Sequence, residues 1–72
     1  MKHIHIQTDY IQLAQALKLA DLAQTGGEAK VIIQEGLVEV NNEVDTRRGR
    51  KLRHGDFFSF DGVTVEVVHR GS

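Results

Sequence analysis

The chain has no cysteine and no proline. Without cysteine there is no disulfide framework, and no cysteine-ligated zinc can hold the fold together. Tryptophan is absent too, and there is no low-complexity tract. The longest apolar run is Val31-Ile32-Ile33, far too short to span a membrane. Met1-Lys2-His3-Ile4-His5 lacks the apolar core of a signal peptide, so a cytoplasmic address is expected. No phosphate loop of Walker or Rossmann spacing occurs. No serine lies near a histidine except across turns. No catalytic constellation is legible, and neither a cofactor nor a small-molecule substrate is expected.

What is present is a short chain with sorted charge. Seventy-two residues make one domain, spanning 1–72. A domain of this size buries only about 60% of the surface its unfolded chain exposes, so its core is modest. The formal net charge is −1. Yet five of the nine Lys and Arg residues fall between Arg47 and His54, with no acid among them. A near-neutral domain with one concentrated positive edge suits a polyanionic partner.

Periodicity outlines the fold. Lys2 to Gln7 alternates polar and apolar residues, which predicts a strand. Tyr10 to Ala20 places Leu13, Ala16, Leu17 and Ala20 on one helical face, with Asp9 as the expected N-cap and Gln12 at the third position. Thr25-Gly26-Gly27-Glu28 is a capping box in which Glu28 should reach back to the Thr25 amide. Ala29, Ile32 and Ile33 of that second helix should face the core, and Gly36 fits its left-handed end. Leu37 to Asn41 and Glu43 to Thr46 read as strands around an Asn41-Asn42 turn. The basic run then forms a loop with Leu52 inward and Lys51 and Arg53 outward. Phe57 to Phe60 and Val63 to Val68 pair across the hairpin signal Asp61-Gly62. The predicted class is α+β: two helices on a small, mostly antiparallel sheet, in the order β-α-α-β-β-loop-β-β.

Ala29-Lys30, Ile33, Gly36-x-Val38-x-Val40-Asn41, Val44 and Gly55-Asp56 resemble the alpha-L RNA-binding motif, the domain named after ribosomal protein S-four. Leu17-Lys18-Leu19, Thr25-Gly26-x-x-Ala29-Lys30 and Thr46-Arg47-Arg48 resemble its free-standing bacterial members, of the YbcJ and YaaA type. The resemblance runs from about residue 9 to 68. It implies a non-catalytic protein that recognises structured RNA, ribosomal RNA first and transfer RNA second, in association with the ribosome or its assembly proteins. It also implies that Lys30 shares a surface with the basic loop. Relatives often carry Ser-Arg where Gly26-Gly27 stands, and Arg-Leu-Asp where Ile11-Gln12-Leu13 stands. RNA contacts therefore shift toward Lys30, Arg47, Arg48, Arg50, Lys51 and Arg53.

Gly26 and Gly27 are further candidates, since they leave helix amides open to a phosphate, although Glu28 competes as a cap. His54 adjoins the run and adds charge when protonated. Phe57 and Tyr10 are each open to two readings, stacking on a base or packing at an edge. His3 and His5 share a strand face but lack a third metal ligand, so a polar face is favoured and no metal is expected. Five phosphate contacts would give a slope of log K on log salt of about −3.5 to −4.5. The competing reading is a protein-interaction module using Asp9, Asp21, Glu28, Glu35, Glu39, Glu43 and Asp45. A ubiquitin-like sulfur carrier would end in Gly-Gly, whereas Arg70-Gly71-Ser72 closes this chain.

Overall fold

In the computed structural model, which describes residues 1–70, the first segment forms β1 (Lys2–Ile6), with Ile4 and Ile6 buried. Gly71 and Ser72, the chain end compared with a Gly-Gly tail, lie outside the described residues. Two helices follow, α1 (Leu13–Leu19) and α2 (Gly26–Gln34). The main sheet is completed by β3 (Glu39–Val40), β4 (Glu43–Val44), β6 (Phe57–Phe60) and β7 (Val63–His69). Its order is β1-β7-β6-β3-β4, with β1 parallel to β7 and every other pair antiparallel. The remaining strands, β2 (Ile11–Gln12) and β5 (Lys51–Leu52), form a separate two-stranded ribbon.

Register explains why one sheet face is apolar. Ile4 lies opposite Val67, Phe58 opposite Val65, and Val40 opposite Phe58. All of these are buried, in one cluster with Leu13, Ala16, Leu17, Ala29, Ile33 and Leu52. The other face carries polar pairs, including His3 opposite Glu66, whose side chains meet at 3.2 Å. His3 thus stands on a polar sheet face. The hairpins close as their turn residues require. Asn41 and Asn42 take φ of 51° and 72°, and Asp61 and Gly62 take 52° and 80°. Paired positive φ values match the twist of two-residue hairpins.

Several expectations need correction. Helix α1 begins at Leu13, not Tyr10, because Ile11–Gln12 is drawn into the ribbon. Asp9 is therefore not its cap; Gln12 holds that position without a side-chain cap bond. Thr25 does cap α2, accepting from the Glu28 amide at 3.1 Å, but Glu28 reaches past Thr25 to the Gln24 amide at 3.2 Å. The strand expected over Glu43 to Thr46 stops at Val44, and Asp45 turns inward. Ile32 is only partly buried, whereas Ala29 and Ile33 are fully so. The basic run is not wholly loop, since β5 lies within it.

Candidate nucleic-acid interface

Pairing between β2 and β5 gives the basic segment its shape. Ile11 lies opposite Leu52, and Gln12 opposite Lys51. Leu52 is fully buried and Ile11 packs on the core. Alternation then sends Tyr10, Gln12, Lys51 and Arg53 to the outer side, and all four are exposed. The same segment is tied to α1 by its backbone. The Leu13 amide donates to the Arg50 carbonyl at 2.8 Å, and the Ala14 amide donates to the Arg48 carbonyl at 3.1 Å. A helix start leaves its first amides without partners inside the helix. Here the basic segment's carbonyls satisfy two of them, which explains how α1 starts without a side-chain cap.

A second anchor is Asp45. Arg47 donates to it through Nε at 3.0 Å and Nη2 at 2.8 Å, and through its backbone amide at 2.9 Å. Arg50 donates through Nη1 at 2.7 Å. The Asp45 carboxylate is 8% exposed, while the Arg47 side chain remains 69% exposed. Hydrogen bonds from the Arg47 side chain hold the Asp45 carboxyl well below the usual carboxylate range, against the opposing effect of burial. The Arg47 amide and Arg50 add to the lowering. Asp45 in turn raises the Arg47 guanidinium above its ordinary value. Asp45 thus leaves the set of surface acids to which it was assigned.

Among the described residues, Arg48, Lys51 and Arg53 form no ion pair. Lys51 Nζ lies 4.9 Å, and the Arg53 guanidinium carbon 5.5 Å, from the centre of the Tyr10 ring. A cleft of about 510 Å³ is walled by Arg47, Gly49, Arg50 and Lys51, with no acid in it. A neighbouring groove of about 440 Å³ shares Arg47 and Arg50 but contains Glu43 and Asp45. The acid-free cleft is the one suited to a polyanion.

The five basic residues from Arg47 to Arg53 therefore share one ribbon and its loop. Lys30 is exposed on α2, and among the described residues it forms no ion pair and lines neither of the two grooves that contain Arg47 and Arg50. Gly26 and Gly27 open α2 with space around them, a side chain at Gly27 meeting only Thr25 Oγ1 at 3.9 Å. The Glu28 carboxylate accepts from the Gln24 amide just ahead of the cap, which places a negative charge beside that helix start. His54 turns toward β7, where its Nδ1 accepts from the His69 amide at 2.9 Å. It lines a separate hollow with Asp9, Arg53 and His69. Among the described residues no three His, Asp or Glu gather as metal ligands, and no helix is long and apolar enough to cross a membrane.

Comparison with known proteins follows the same lines. The family model for the S4 domain matches residues 4–68. A probable ribosome maturation protein, RlbA of Bacillus subtilis, is 52% identical over 67 residues, covering 92% of this chain and 94% of its own. The putative RNA-binding protein YbcJ of Escherichia coli is 39% identical over 67 residues, covering 93% and 89%. The solution structure of YbcJ, described as revealing an alpha-L motif involved in RNA binding, superposes with a TM-score of 0.73. That alignment, at 35% identity, covers 94% of this chain and 87% of YbcJ.

Proposed function

The chain belongs to the S4 domain family, and from that premise we propose that it is a non-catalytic protein that binds structured RNA through its basic ribbon. The observation that carries the reading is the clustering of five cations within residues 47–53 around a cleft walled by no acid, anchored at Asp45, at Leu52 and at the start of α1. Arg48, Lys51 and Arg53 supply free charge to phosphates. Arg47 and Arg50 present guanidinium groups already oriented by Asp45. Lys30 adds a contact from α2. Gly26, Gly27 and His54 are secondary, because the Glu28 carboxylate sets a negative charge beside that helix start and the His54 ring already accepts from the His69 amide.

Ribosomal RNA ranks ahead of transfer RNA because a relative at 52% identity is described as a probable ribosome maturation protein. Shape and phosphate geometry do most of the recognition, as is usual for folded RNA. The competing protein-interaction reading has less support, since Asp45 and Glu28 are engaged within the chain.

The test is the combined variant R48Q/K51Q/R53Q, which leaves Asp45, its two arginines and Leu52 in place. Affinity for ribosomal RNA hairpins should fall at least about tenfold at ~0.1 M salt while the fold is retained. Undiminished binding would overturn the reading.

A further inference from the structure

Tyr10 is an aromatic side chain left exposed on the outer face of the ribbon. It is 37% exposed, stands outside the core, and forms no side-chain hydrogen bond among the described residues. Folding would be served as well by any residue that covers the ribbon. Instead the position holds a flat aromatic ring with two cations drawn over it, neither paired with an acid among the described residues. Like charges gathered at one ring repel each other, and an arriving phosphate would relieve that repulsion. Gln12, on the same outer face, carries an amide that can both donate and accept.

We propose that the outer face of the β2–β5 ribbon is a subsite for an unpaired nucleotide. The Tyr10 ring stacks on the exposed base, Lys51 and Arg53 hold the phosphates that flank it, and Gln12 meets the base edge. A paired base is already stacked and offers no free face, so the ligand is a bulged or single-stranded nucleotide beside a helix. Stacking on an aromatic tolerates any base, so the subsite selects local RNA structure rather than sequence. This rests on the RNA-binding reading and adds which feature of the RNA is chosen.

Two RNA hairpins of equal length, one fully paired and one with a single-nucleotide bulge, test it by fluorescence anisotropy. The wild-type protein should prefer the bulged hairpin. Tyr10→Leu keeps an apolar cover under Lys51 and Arg53 but removes the stacking face. It should lose about 5- to 150-fold on the bulged hairpin and change less than about twofold on the paired one, while Tyr10→Phe retains the preference. Tyr10 is the single tyrosine of the chain. Its ring-proton NMR signals are therefore identifiable, and in the wild-type protein they should move upfield with bulged RNA more than with paired RNA. Equal binding of both hairpins by wild type and Tyr10→Leu, with no selective ring shift, would remove the subsite and leave RNA binding standing. Wild type binding neither hairpin would overturn both.

Discussion

Asp45 and Arg50, five positions apart, meet carboxylate to guanidinium at 2.7 Å, and Arg47 closes on the same carboxylate through two side-chain bonds. One acid thereby fixes two of the five cations in the ribbon segment. Its removal sets two effects against each other. Coulomb attraction alone would make Asp45→Asn bind RNA more tightly, because a negative charge is lost. Orientation of the arginines predicts the opposite, since each freed side chain must be ordered again on binding. We expect the variant to bind a ribosomal RNA hairpin about 2- to 10-fold more weakly by anisotropy. Urea unfolding should show it about 1–2 kcal/mol less stable, from hydrogen bonds weakened at a covered carboxylate.

The same pairing sets a pH dependence. The folded-state value of Asp45 lies below its ordinary 3.8, so the unfolded chain takes up a proton first as pH falls. The stabilisation is present in full above the unfolded value and is lost as pH drops through the lower folded one. The melting temperatures of wild type and Asp45→Asn should differ by a constant amount between about pH 5 and 7, then converge below about pH 4. A gap that widens on acidification would show that another group dominates.

Leu52 couples the cationic surface to the core. It is fully buried between Lys51 and Arg53, so truncation leaves a cavity under the ribbon. Leu52→Ala should cost about 2–4 kcal/mol in urea unfolding, a large share of the stability of so small a domain.

Thr25 provides the contrast. It caps α2 far along the chain from the ribbon, through the Glu28 amide. Thr25→Ala should lower stability by about 1 kcal/mol while RNA affinity stays within about twofold of wild type.

Much of the architecture was legible because local chemistry dictated it. The Asn41-Asn42 and Asp61-Gly62 turns need positive φ and have it. Alternation placed Leu52 inward and Lys51 and Arg53 outward, and Leu52 is buried while the other two are exposed. The ribbon was not legible. A two-residue strand has no period to read, so Ile11 and Gln12 were absorbed into the helical pattern of Leu13, Ala16 and Leu17. The cap of α1 was hidden for a related reason: its acceptors are carbonyls at Arg48 and Arg50, remote in sequence and independent of side-chain type. Asp45 looked like one more surface acid. Its spacing to Arg47 and Arg50 was visible, but the turn that brings the three together was not. Nor was the place of Tyr10 legible: pairing of Ile11 with Leu52 puts it beside Lys51 and Arg53.

The pairing also revises the number of charges free to meet phosphate. Arg47 and Arg50 share one carboxylate, which leaves three free cations and one net charge from the Asp45 trio. The most direct measurement is the salt dependence of binding to a ribosomal RNA hairpin, for wild type and R48Q/K51Q/R53Q. With Lys30 added to those four charges, wild type should show a slope of log K on log salt of about −3.5 to −4.5, and the variant, which keeps Lys30 and the trio's net charge, a slope no steeper than about −2. Equal slopes for the two proteins, or a wild-type affinity insensitive to salt, would contradict RNA binding through the ribbon.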